Sequence, residues 1–415
     1  MRRIITRVFV SIGLITMVLL VALLGVIIRE WPHAPAAPVG EAESPPWGSL
    51  DAAIEEAQSR GKELPPFVAD ASHGPAADGA LRVLVISAGG QYGAFGAGVL
   101  SGWTSSGHWP AFDVVTGISV GSILAPIAFL GSEYDEQLKL LVQEIATVVD
   151  QHPLRDIGPV DLLAAIWGRG FPVSAEIEAI LRTVYDETFI GKVAREHAKG
   201  RKLYIGSTDV TSGRVEIWDL GAIASSVRPD RVRRFQDAIL ASIAVPIAMP
   251  ARYIETGQPG TYAMHVDGSF LAPIFMSTLI GNFENVPGKF DVYVVVNNKL
   301  QRPQPLKLMT PRLVDLIPRL FYLVHTSQFE RTMDMLLLQS QLHHFTVRIL
   351  AIPENENLGF SLDFSGQEIT DLYRLGTRTG QDSAAWVTLP ATGLPAYWAP
   401  PGVAGEDTGT AGVSR

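Results

Sequence analysis

The sequence predicts an α/β domain on a mostly parallel central sheet. Three observations carry that expectation. Short apolar, β-branched runs alternate with helical patterns from residue 81 to residue 386, the rhythm of strand–helix–strand units. Several of these runs are apolar at every position, as in strands covered on both faces. Two of them, 81–87 and 112–116, are each followed at once by a glycine turn and an apolar helix. In such sheets ligands sit beyond the carboxyl ends of the strands.

Taken in order, residues 1–7 are a basic N-terminus with Arg2, Arg3 and Arg7. The run 8–28 carries no charge. As a helix rising ~1.5 Å per residue it spans ~31 Å, about one bilayer core. A single transmembrane anchor is expected there, with a signal peptide cleaved near Ala34-Pro35-Ala36 as the alternative. The arginines before the run place the N-terminus in the cytoplasm and the rest of the chain on the outer side. Residues 29–78 are rich in Pro and Ala and read as a linker. The catalytic domain is expected over 79–390, and 391–415, dominated by Gly, Ala and Thr, reads as a disordered tail.

Within the domain, helical spacing marks 122–130, 134–149, 161–167 and 174–186, the last capped by Ser174. Residues 202–208 and 214–220 read as strands joined by a Thr-Ser-Gly turn. A helix follows over 231–244, ended by Pro246. The remaining pattern predicts strands at 261–266, 291–296 and 345–352, and helices at 311–341 and 366–386.

Composition narrows the chemistry. The chain of 415 residues has a net charge of −9 and no basic stripe after the first turn, which argues against a nucleic-acid partner. It contains no cysteine, so disulfides, thiol nucleophiles and zinc–thiolate sites are excluded. No H-E-x-x-H or other metal-ligand spacing is present.

Three motifs remain. Gly117-Ile118-Ser119-Val120-Gly121 fits G-x-S-x-G between a strand and a helix, the setting of a nucleophile elbow. Ser119 is the candidate nucleophile, and a serine hydroxyl needs an adjacent base. The loop Ala88-Gly89-Gly90-Gln91-Tyr92-Gly93 offers successive N–H groups at a helix N-terminus, a place to hold a developing oxyanion. A dinucleotide loop is the competitor. Its G-x-G-x-x-G fingerprint is broken at Ala88, and Asp113, near the required spacing, precedes its strand instead of ending it. Asp267 ends a strand before Gly268 and is the candidate base, although Asp-Gly is also a common turn. His265, His325, His343 and His344 follow Ser119, but none stands in a turn after a clear strand, and each reads as a surface or interface histidine.

SAGGQYG, then GISVG about thirty residues on, then VDGS, resemble in kind and order the motifs of the patatin-like phospholipase family, in its bacterial form. The apolar segment ILASIAVPIAMP before the aspartate is also similar. The resemblance runs from about residue 81 to residue 386. It implies a three-layer α/β/α fold and a Ser–Asp dyad that hydrolyses acyl esters of lipids with no metal or cofactor. By position it makes Ser119 the nucleophile and Asp267 the base, with the N–H groups of Gly89, Gly90 and Gln91 as the oxyanion hole. Gly93, Gly117, Gly121 and Gly268 are the motif glycines. Ala88 stands where the family commonly has a third glycine, Tyr92 where it often has Arg or Lys, and Ser269 where it has Gly or Ala. The expected protein is a membrane-anchored phospholipase or esterase. The alternative is a catalytically silent relative that binds lipid or a protein partner.

Overall fold

The computed structural model describes residues 80–152, 158–275, 289–300, 313–358 and 364–389, with Met17, Pro46, Gly48 and Ser49. The expected anchor at 8–28 and tail at 391–415 lie outside these residues, Met17 apart. Among the described residues no helix is long and apolar enough to cross a membrane.

The strands are β1 (Ala80–Ile86), β2 (Val114–Ile118), β3 (Lys202–Asp209), β4 (Arg214–Asp219), β5 (Arg252–Glu255), β6 (Tyr262–Val266), β7 (Lys289–Val296), β8 (Thr346–Ala351) and β9 (Val387–Thr388). The helices are α1 (Gly93–Ser105), α2 (Val120–Leu130), α3 (Asp135–Gln151), α4 (Pro159–Ala164), α5 (Val173–Val184), α6 (Glu187–Ala198), α7 (Leu220–Ser225), α8 (Arg231–Ser242), α9 (Leu313–His343) and α10 (Gly366–Gln381).

All these strands join one sheet in the order β5-β6-β3-β2-β1-β7-β8-β9, with β4 paired to β3. The centre, β3-β2-β1-β7-β8, is parallel. The pairings of β4, β5, β6 and β9 are antiparallel. The sheet is therefore mixed, and the expectation of a mostly parallel sheet holds only for its core. For the β3–β4 and β5–β6 pairs the reason is connection length. A parallel return needs a crossover of a dozen or more residues, whereas β3 and β4, and β5 and β6, are joined by short turns.

Both faces of the central strands are covered. In β1, Leu84 and Ile86 point into a core shared with α1, α2, α3, α8 and α10, while Val83 and Val85 point into a second core with Phe329, Met333, Leu336 and Leu337 of α9. This two-sided burial accounts for strands without polar alternation. The described residues past 280 join the same sheet and cores. Trp386 packs against Trp103 of α1, with ring centroids 4.5 Å apart and the rings tilted by 47°.

Several boundaries differ from the sequence reading. Asp186 does not end the helix before it. Its side chain accepts from Phe189 N and caps α6, a separate helix. Ser174 is not a cap, because α5 begins at Val173. Within the linker region, Ser49 forms a β-bridge with Trp218.

One topological detail positions the site. β4 pairs with β3 from Tyr204 to Asp209 and so occupies one edge. On the other edge β2 pairs with residues 202–206, and β6 pairs with Thr208 and Asp209 beyond it. β2 and β6 thus meet end to end along β3. The residue after β2 is Ser119, and the residue after β6 is Asp267.

Candidate active site

Ser119 is the N-cap of α2, with φ 54° and ψ −126°. A non-glycine residue in this region carries strain of roughly 1–3 kcal/mol and persists only where its surroundings impose it. Here they do. Its carbonyl accepts from Ser122 N at 2.8 Å and from Ser122 Oγ at 2.6 Å. Its N–H donates to Ser242 Oγ at 3.0 Å, and Ser242 in turn donates to the Gly206 carbonyl of β3 at 2.6 Å. The turn also sits hard against β1, since a Cβ on Gly121 would lie 2.3 Å from the Ile86 carbonyl oxygen.

Serine is a favoured N-cap because its oxygen takes an orphan helix N–H. Ser119 makes no such bond. Its hydroxyl donates instead to Asp267 Oδ2 at 2.6 Å. Asp267 is wholly buried and its second oxygen accepts from Ser269 N at 2.8 Å. Burial pushes the carboxyl up to about 6, against the opposing pull of the hydrogen bonds from Ser119 and Ser269. A base poised near neutrality suits proton transfer at physiological pH. Gly268 allows the turn because a Cβ there would meet the Gly206 carbonyl at 2.4 Å.

The glycine loop leaves β1 and enters α1 through a short 3₁₀ turn, Gly90–Tyr92. Not every N–H in it is available. Ala88 N donates to the Pro273 carbonyl, Tyr92 N to the Gly89 carbonyl, and Gly93 N to the Gly90 carbonyl. Those of Gly89 and Gly90 meet no acceptor among the described residues. Gly90 has φ 56°, the left-handed region that favours glycine. The start of the loop is locked from β7: Asn297 N donates to Ser87 Oγ at 2.8 Å, and Asn297 Nδ2 to the Ser87 carbonyl at 2.7 Å. Tyr92, at the position where a basic residue was the comparison, is buried.

Gly90, Gln91, Gly93 and Ser119 line one cavity that opens to solvent. Its other walls are almost entirely apolar, among them Leu124, Leu141, Val142, Ile177, Met249 and Ile369. The polar exceptions include His152, whose Nε2 lies 2.6 Å from Glu176 Oε1.

The sequence-predicted residues therefore converge, with one correction among the histidines. His265 is not at the surface but wholly buried. Its Nδ1 lies 3.1 Å from Ser207 Oγ, its ring packs on Trp218, and burial pushes its pKa down to about 4. His343 and His344 are exposed. Among the described residues no histidine is hydrogen-bonded to Ser119 or Asp267. The sequence reading misses Ser242, Asn297 and the contacts of the Gln91 side chain, because none of them forms a motif with the residue it supports.

The family model for patatin-like phospholipases matches residues 84–280. Among solved structures, the chain is similar to VipD from Legionella pneumophila, at 11% identity and TM-score 0.33, over 75% of this chain and 68% of VipD. It is also similar to the type III effector protein ExoU, at 13% identity and TM-score 0.29, over 73% of this chain. The alignment spans about half of ExoU, 52% of its length. Likenesses this loose carry no argument about function. The comparison with curated proteins finds no match. With its motifs in family order and the match covering the glycine loop, Ser119 and Asp267, this chain carries a patatin-like phospholipase domain between residues 84 and 280.

Proposed function

We propose that the protein is a lipid acyl hydrolase working through a Ser119–Asp267 dyad. The observation that carries the reading is the 2.6 Å hydrogen bond from Ser119 Oγ to a buried carboxylate. Asp267 takes the hydroxyl proton as the oxygen attacks an ester carbonyl. The N–H groups of Gly89, Gly90 and Gln91 receive the oxyanion. The tetrahedral intermediate collapses to an acyl-Ser119, and the alcohol leaves with the proton. Water, activated by the same carboxylate, then releases the fatty acid. The apolar cavity next to Ser119 suits an acyl chain.

The membrane anchor at 8–28, and the extracytoplasmic side proposed for the domain, rest on the sequence alone. They would keep the enzyme at a lipid surface.

The test is turnover of nitrophenyl esters of increasing acyl length by the full chain and by Ser119→Ala. The parent is expected to hydrolyse them, and the variant to lose turnover while still folded. Equal rates in the two would overturn the reading. A silent lipid-binding relative would give no turnover in either.

A further inference from the structure

Gln91 lies in the turn between the glycine loop and α1, and its side chain leaves the loop for the far end of the sequence. Gln91 Nε2 donates to Glu368 Oε2 at 3.1 Å. Gln91 Oε1 accepts from Ser365 N at 2.9 Å. Both partners sit at the start of α10, beyond the stretch matched by the family model.

Ser365-Gly366-Gln367-Glu368 fits S-x-x-E, a capping box. In such a box the Ser oxygen takes the N–H of the third helical residue, and the Glu carboxylate reaches back to the N–H of the Ser. The first half is present, with Glu368 N donating to Ser365 Oγ at 3.4 Å. In the second half, the Gln91 carboxamide stands between the two groups. Its oxygen takes the Ser365 N–H, and its nitrogen gives to the Glu368 carboxylate. The cap of α10 is thus closed through the catalytic loop.

The helix that provides this clamp is itself fixed. Gly366 N donates to Asp150 Oδ1 of α3 at 2.9 Å. Along its length α10 lies backbone to backbone on α1. A Cβ on Gly376 would fall 2.0 Å from the Phe95 carbonyl oxygen, and one on Gly102 would fall 2.1 Å from that of Thr377. Phe364 and Ile369, flanking the cap, line the cavity beside Ser119.

We propose that Glu368 and the Ser365 N–H are positioning groups for ester hydrolysis: through the Gln91 carboxamide they hold the glycine loop where its N–H groups face the oxyanion. This rests on the dyad and oxyanion reading above. Oxyanion donors act only when fixed in advance, and a shift of about 1 Å in a catalytic group can cost ~10² in rate. Loosening the clamp therefore lowers kcat more than it raises KM.

The test exchanges donor and acceptor. Gln91→Glu sets two carboxylates against each other and is expected to lower kcat about 10- to 100-fold, with KM changed less than about threefold. Glu368→Ala removes only the acceptor from a partly exposed position and is expected to lower kcat about threefold to tenfold. The paired exchange Gln91→Glu with Glu368→Gln restores the arrangement, since a carboxylate on the loop can accept from both the helix amide and the Ser365 N–H. It should return kcat to within about threefold of the parent. Circular dichroism and thermal melting of each variant establish folding. The proposal is overturned if folded Gln91→Glu keeps the parent kcat, or if the paired exchange stays as slow as the single change. Ser119→Ala, run alongside, separates the two readings: if it retains activity, the dyad reading has failed and takes the clamp with it, whereas an inactive Ser119→Ala beside an additive pair refutes the clamp alone.

Discussion

The two turns that face the cavity are held by different means. The turn at Ser119 is held by its own helix, by the central sheet and by the end of α8: Ser122, the β1 carbonyl against Gly121, and Ser242 of α8, which is itself bonded to β3. Every one of these lies inside the stretch matched by the family model. The glycine loop is held mainly from outside it, by Asn297 after β7 and by the cap of α10. The proposed nucleophile is thus held around a strained residue by packing and hydrogen bonds from inside that stretch, and the proposed oxyanion donors by side-chain hydrogen bonds from later in the chain. The supports of the loop are single side-chain bonds that can be cut one at a time.

The largest effect expected from breaking this comparison is on the dyad. Ser119→Ala, Asp267→Asn and the double change should each lose at least ~10³ in kcat, and the double change should be scarcely worse than either, because members of a catalytic unit are non-additive. Steady-state kinetics on folded variants checks this, and losses that multiply would mean that the two side chains act separately.

Next comes the loop. Gly90→Val places a branched side chain at φ 56°, where such residues are strained. A fall of ~10²–10³ in kcat is expected, the loss reported by removing one oxyanion donor. A folded Gly90→Val with the parent rate would remove the loop from the mechanism.

A smaller and graded effect is pH dependence. On the proposed dyad the reaction needs ionised Asp267, whose carboxyl is pushed up to about 6 by burial. The rate is expected to be level above about pH 7, to halve near pH 6 and to fall about tenfold per unit below pH 5. Stability has the opposite sign. A carboxyl whose folded pKa is raised binds its proton more tightly in the folded state, so its contribution is full below about pH 4 and is lost as pH rises through about 6. Relative to the parent, Asp267→Asn should gain on the order of 3 kcal/mol between pH 4 and pH 7 in denaturant melts. A difference that is flat with pH would contradict the raised pKa.

The smallest effect is a control on both turns. His343→Ala with His344→Ala, at exposed positions, should leave kcat within about twofold. A large loss there would reopen a histidine-based triad.

The same contrast explains what was legible. The elbow is readable because G-x-S-x-G, the strand before it and the helix after it are contiguous, so local geometry forces Ser119 out of the turn. Asp267 is readable as the end of a strand, but its approach to Ser119 from 148 residues away depends on β6 taking up the edge of β3 beyond β2. No periodicity encodes that pairing. β5 escapes the pattern because it has four residues with charged ends, Arg252 and Glu255. The antiparallel margin escapes because apolar alternation reports burial and is blind to strand direction. The S-x-x-E box at 365–368 is a readable helix start, yet nothing local announces that Gln91, 277 residues from Glu368, completes it.

The most direct test of the central claim is fluorophosphonate labelling of the full chain, with the adduct located by peptide mass spectrometry. The account requires the label on Ser119, none in Ser119→Ala, and labelling in Asp267→Asn slowed to a small fraction of the parent rate. A label on any other residue, or an Asp267→Asn protein that labels as fast as the parent, would contradict it.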